Sequence, residues 1–347
     1  MNLKFIAIFF IMAITGFMAF EYFYYIKPFM VAILNGKEEL RPFLMNADTS
    51  VYLKLYRDYD LYAILSDFSA TKNSYGPVLL LNIFSGKYDF ILLFYCGLFL
   101  FLLLKINKYF NLNIYIFTAL FLLNPLNSMY FLSVNKDILT VFIIIFLSIY
   151  AVSNKKIYIL TSLILSLVCK FEITIFILMY YLITKLDRNM RWVAIIFYLG
   201  IITFFYSFLP GMDEKTLVIN AAQNSQSLGI TLFANNLSMN YYLYPITIIP
   251  MVSISIIEGI IIYFKYEFNF NIISIYISSL LTIFGFCFSI KKIKFNINNN
   301  YTLLMLIFIL LVSLVPFPHH RYIYPIYTLF ILIICSKNNT LFRYNGQ

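Results

Sequence analysis

The sequence predicts an all-α polytopic integral membrane protein, and three observations carry that expectation. Hydrophobic residues form 62% of the 347 and charged residues only 12%, a balance that no soluble core requires. The apolar residues run continuously over lengths that suit a bilayer crossing, whereas the strands of a membrane barrel would alternate. The basic residues, which give a formal net charge of +10, gather in short connections between those runs. That is the pattern of cytoplasmic loops, and it accounts for the charge without nucleic acid.

Taken in order, the first apolar run covers 3–25. It lacks a small-residue cleavage site and exceeds a signal-peptide core, so it is expected as a retained helix. Further segments are expected at 89–104, 112–124, 138–153, 157–169, 173–185, 192–209, 244–264, 271–290, 301–317 and 322–336. Several fall short of the roughly 20 residues of a straight crossing and must extend into their polar flanks. The whole chain, 1–347, is expected as one transmembrane domain of about ten or eleven helices, interrupted by two long external segments, 35–86 and 210–243.

Charge sets the orientation. Connections at Lys105/Lys108, Lys155/Lys156, Lys185–Arg191, Lys291–Lys294 and Lys337/Arg343 carry twelve basic residues and one acidic residue, Asp187. These belong to the cytoplasm. Asn35–Tyr75 instead holds five basic and six acidic residues, and Gly211–Asn240 is nearly uncharged, so both belong outside. Eleven full crossings would put Lys291–Lys294 on the wrong side. One segment between 241 and 290 is therefore expected to be re-entrant, broken or interfacial; Pro245, Pro250 and the apolar-embedded Glu258 mark it. Ten crossings then leave both termini cytoplasmic. Within the first external segment, PVLLLNIFS suits a helix lying at the interface. Cys96, Cys169, Cys287 and Cys335 are scattered through apolar runs and read as small hydrophobes, neither disulfide framework nor metal site.

Four polar groups stand out, all at external positions. NADTSVYLKLYRDYD places Asp48, Tyr52 and Tyr56 at helical spacing on one face, with Arg41 seven residues upstream of Asp48; a solvated interfacial helix with aromatic anchors would also account for it. In LLNPLNSMYFLSVNKDILT, Asp137 reads as a helix N-cap. Lys136 beside it is unfavourable at a helix N-terminus unless an anion binds there. In LVCKFEITIF, Lys170 and Glu172 interrupt a long apolar stretch at a hairpin tip, as a local ion pair or as groups facing a cavity. VPFPHHRYIYP holds the only two histidines, His319 and His320, beside Arg321. Arg321 can grip phosphate oxygens with two bonds, and the histidines can donate or move a proton. The alternative is a Pro-bounded membrane-edge turn.

The segments ADTSVY, NPLNSMYFLSVNKDILT, CKFE and the late RYIYP, in this order, resemble bacterial Wzy-type O-antigen or capsule polymerases, including the EpsG-like group, and more distantly the GT-C glycosyltransferases. The resemblance implies an inner-membrane enzyme acting at the periplasmic face. Its donor and acceptor would both be undecaprenyl-diphosphate-linked oligosaccharides, in contact with membrane lipid, and a separate chain-length regulator can be a further partner. It implies no cofactor, no metal and no nucleic-acid partner. On the matching positions, Arg321 would stabilise the departing diphosphate with His319, His320, Lys136 and Arg41. Lys170 and Tyr52 would contact substrate, and Asp48 or Glu172 would be the general base. Two rival functions remain: a GT-C transferase moving one sugar from a polyprenyl phosphate, and a lipid-linked oligosaccharide flippase, which would instead line a through-membrane cavity.

Overall fold

The computed structural model describes residues 3–37, 42, 45, 47–59, 62, 75–169, 171–205, 252, 253, 256, 257, 260, 270–293, 296–313, 320–337 and 342. Among them every extended element is a helix. An isolated antiparallel bridge pairs Leu112 with Ser336. The chain divides into two compact units, one of Met1–Leu178 and Thr328–Leu341, the other of Met179–Tyr327 and Phe342–Gln347.

The first unit opens with α1 (Leu3–Glu21), a π-helical stretch (Tyr22–Ile26) and α2 (Lys27–Leu34). Together they run as one apolar span to Leu34, nine residues past the expected end at 25. The π turn explains the continuation. Pro28 has no N–H, and in a regular α-helix its ring would press on the Tyr24 carbonyl. Here the preceding Lys27 N–H bonds back to Tyr22 O, so the wider ladder absorbs the defect. The span is largely uncovered by the rest of the chain, and Phe5, Phe9, Met12 and Phe23 are exposed. A face of that kind is at home in lipid.

Next come α3 (Ala47–Asp58), α4 (Tyr75–Ile83) and α5 (Tyr88–Phe110). The α3 helix packs on α2 and α4, and α4 buries Val78, Leu80 and Leu81. Asn111 ends α5 in the left-handed region with φ 48°, a conformation asparagine tolerates better than most residues. Then α6 (Ile114–Leu123) bends by 84° into α7 (Pro125–Phe131). The expected crossing at 112–124 is therefore one arm of a broken pair, because Pro125 cannot extend α6 and instead opens α7 at its first position.

The core of the unit is α8 (Lys136–Ser153), whose residues from Lys136 to Tyr150 are all buried. It packs against α5 and α9 (Lys156–Leu167), with Tyr95, Phe99, Phe131 and Phe142 in mutual edge and stacked contact. The hairpin from α9 leads into α10 (Phe171–Thr184). The end of α15 (Ile326–Cys335) is stitched to the α5–α6 turn: Ser336 Oγ donates to Phe110 O at 2.9 Å and Asn113 N to Cys335 O at 3.3 Å.

In the second unit lie α11 (Arg188–Phe205), α12 (Phe270–Ile290), α13 (Asn300–Ser313) and the short α14 (His320–Ile323). Arg191 donates to the carbonyls of Thr184, Leu186, Ile297 and Asn298 at 3.0–3.1 Å, so a residue counted in the sequence only as a loop charge ties three backbone segments together. The chain is thus a multi-pass helical membrane protein. Among the described residues four helices are long and apolar enough to cross a bilayer, or five if the bent pair counts as one; α9, α10, α13 and α15 are shorter apolar helices. The loop at 210–243 and Glu258 lie outside the described residues.

Candidate functional site

The start of α8 organises the first unit. Asn135 is extended (φ −147°, ψ 140°), and its Oδ1 accepts the Asp137 N–H at 2.7 Å. Asn135 is therefore the N-cap, and the expectation that Asp137 plays this part is corrected. Both side chains suit a cap, but the helix begins one residue before Asp137, which puts Lys136 at its first position and Asp137 at its second. Asp137 there complements the positive end of the helix dipole. Asn135, Lys136 and Asp137 are all buried, deeper than a helix end facing water.

Three successive carbonyls at this point are each claimed by a different part of the chain. Val134 O accepts Thr49 Oγ of α3 at 3.4 Å. Asn135 O accepts the Tyr95 hydroxyl of α5 at 3.3 Å. Lys136 O accepts the thiol of Cys169, at the α9–α10 hairpin tip, at 3.2 Å, and Thr140 Oγ at 3.3 Å. Asn135 O and Lys136 O also serve the helix ladder, so these bonds use the second lone pair of each, and together with the Val134 carbonyl they bring the NADTSVY, NKD and CKFE segments to one place. Thr49, Tyr95, Thr140 and Cys169 were not candidates from the sequence. Cys169 read there as a small hydrophobe.

Asp48 is half-buried one turn before Tyr52, with Tyr52 Oη 3.5 Å from Asp48 Oδ2, at the outer limit of a hydrogen bond. The anticipated shared face is real, and Tyr52 lies on its buried side. Tyr56 turns to the α4–α5 connection, where a Cβ on Gly86 would meet its ring at 2.9 Å. At the far end of α3, Arg57 donates to Ile33 O at 3.0 Å and holds Asp58 through two bonds of 2.6 and 3.0 Å. That guanidinium keeps the Asp58 carboxyl below the usual carboxylate range.

The break between α6 and α7 is built from the NPLNS motif. Asn124 caps α7 through Leu126 N at 3.1 Å. Asn127 Nδ2 and Ser128 Oγ reach back to Phe121 O and Leu122 O, both at 2.9 Å. These side chains satisfy carbonyls that the bend leaves without a helical partner, as membrane interiors demand.

The second unit holds the other described candidates. His320 is fully buried at the start of α14, and its Nε2 lies 2.9 Å from Ser278 Oγ of α12. Arg321, the next residue, is half-buried. Glu172 sits in the first turn of α10, and its side chain, like Arg41, Lys170 and His319, lies outside the described residues. Asp48, Tyr52 and Lys136 thus share one unit, with α3 tied to the start of α8, while His320 and Arg321 belong to the other. Among the described residues no three His, Cys, Asp or Glu side chains gather where a metal could bind. No protein-family model, curated protein or solved structure matches the chain.

Proposed function

We propose that the protein is a Wzy-type polysaccharide polymerase with a GT-C-like architecture. It would join undecaprenyl-diphosphate-linked repeat units at the periplasmic face of a bacterial inner membrane, with both termini cytoplasmic. The observation that carries this reading is the gathering of three motif segments on the first residues of α8, tied by Thr49 to Val134 and by Cys169 to Lys136. Segments separated by up to 85 residues meet at a helix N-terminus that carries a buried lysine, a setting that favours an anion.

In the reaction, the acceptor's sugar hydroxyl oxygen attacks the donor's anomeric carbon. The new C–O bond forms as the bond to the diphosphate breaks. Undecaprenyl diphosphate leaves with the electron pair, and the hydroxyl proton passes to a carboxylate, Asp48 or Glu172. Arg321, always charged and able to bond two oxygens at once, would meet the developing charge. Deleting the gene and separating the surface glycan on a gel tests the reading. Glycan cut to a single repeat unit supports it, loss of one sugar per chain points to the single-sugar transferase, and an unchanged ladder rejects both.

A further inference from the structure

We propose that the side-chain amide of Asn135 contacts substrate, its Nδ2 donating to a phosphate oxygen of the lipid diphosphate at the start of α8. The inference rests on the polymerase reading and names a donor for that reaction's leaving group.

Asn135 is fully buried, and both of its oxygens accept hydrogen bonds. Its Oδ1 accepts from Asp137 N and its carbonyl from Tyr95. The remaining Nδ2 has no partner among the described residues. A buried donor left unmade costs about 1–3 kcal/mol, so its persistence asks for an explanation. The cap itself gives none. Aspartate would cap α8 equally well and leave no spare donor behind.

The chemistry of the surroundings selects the partner. The spare donor sits on the cap residue of an 18-residue helix, where the backbone dipole favours negative charge. Lys136 follows at the first helical position and adds a buried cation. The carboxylates that belong to the same start are Asp137 and, on α3, Asp48, whose neighbour Thr49 bonds Val134 O. Both are acceptors within the chain, yet Nδ2 is bonded to neither. An amide donor, a lysine and a helix N-terminus together suit a phosphate oxygen.

The test uses the full-length protein in lipid nanodiscs and measures binding of undecaprenyl diphosphate, with undecaprenol as the phosphate-free tail and inorganic pyrophosphate as the tail-free competitor. Asn135→Asp keeps the capping oxygen and replaces the donor by an acceptor. Asn135→Ser keeps the cap and, without adding charge, replaces the amide N–H groups by a single O–H on a side chain too short to reach the same phosphate oxygen. The expected result is at least tenfold weaker binding of undecaprenyl diphosphate by Asn135→Ser and a larger loss by Asn135→Asp. Pyrophosphate should compete on the wild type, and undecaprenol uptake should be equal in all three. If Asn135→Asp does not fold, Asn135→Ser decides. Binding within twofold of wild type by Asn135→Ser, or no binding by the wild type, overturns the proposal. The result is independent of the glycan ladder: an unchanged ladder with donor-dependent binding rejects the polymerase and keeps the phosphate contact.

Discussion

The thiol of Cys169 donates to the carbonyl of Lys136 across 3.2 Å, tying a hairpin tip to the first turn of the deeply buried helix α8. Thr140 Oγ lies 3.1 Å from the same sulfur, so the thiol bridges two turns of α8. Cys169→Ala should lower stability by about 1 kcal/mol, while Cys169→Ser, which keeps a donor, should lose less. Thermal unfolding of the purified variants in one detergent checks the order. Equal melting for Cys169→Ala and wild type would remove the bridge from the account.

A second contact fixes the same hairpin. A Cβ at Gly76 of α4 would lie 2.3 Å from Val168 O, a backbone atom that cannot swing aside. Gly76→Ala is therefore expected to destabilise by about 1–3 kcal/mol through overpacking. Gly97→Ala is the control, since nothing lies within 4 Å of a Cβ there, and alanine favours a helix. Gly97→Ala should melt at or above the wild-type temperature. If both variants melt alike, α4 does not press on the hairpin.

Much of this was legible in the sequence, and the misses have physical causes. The apolar runs gave α8, α12 and α13 within a few residues, and α5 except for its last six, because continuous hydrophobicity leaves the chain little alternative in lipid. The α3 face was read correctly from the four-residue spacing of Asp48 and Tyr52. The cap of α8 was misplaced because Asn135 and Asp137 are both good caps, and only geometry decides between them. The first span was cut short at 25, where Lys27 and Pro28 follow the apolar run; only the π turn shows the helix continuing through them to Leu34. The bend at Pro125 was missed for a related reason: Asn127 and Ser128 look like loop residues until their side chains are seen bonding carbonyls of α6.

Asp89 joins two helices by accepting from the buried hydroxyl of Tyr22 and from Lys27 Nζ at 2.8 Å. The Lys27 pair is about half-exposed and contributes little by itself. The larger cost of Asp89→Ala is the Tyr22 hydroxyl left without an acceptor, about 1–3 kcal/mol. Adding Tyr22→Phe to Asp89→Ala should recover part of that loss in a double-mutant cycle. Additive losses would show that the hydroxyl and the carboxylate do not interact.

Arg57 joins α3 to the last turn of α2 through Ile33 O, and Asp58 holds its guanidinium. Because the folded-state pKa of Asp58 is depressed, its contribution is present above the unfolded carboxylate value, about 3.9, and is lost as pH falls through the folded value. Arg57→Ala should loosen α3 at neutral pH, measured as faster amide exchange over residues 47–58, and Asp58→Asn should do so weakly. Below about pH 4 the wild type should approach Asp58→Asn. Wild-type exchange in both variants at pH 7 would show that the clamp does not hold α3.

The most direct test of the central claim is the length of surface glycan in the deletion strain complemented with wild type, Arg321→Ala or Arg321→Lys. Wild type should restore the full ladder. Arg321→Ala, inserted at wild-type levels, should leave single repeat units, and Arg321→Lys should restore only short chains because a point charge loses the two-bond grip. A full ladder in the deletion strain carrying an empty vector would contradict the account.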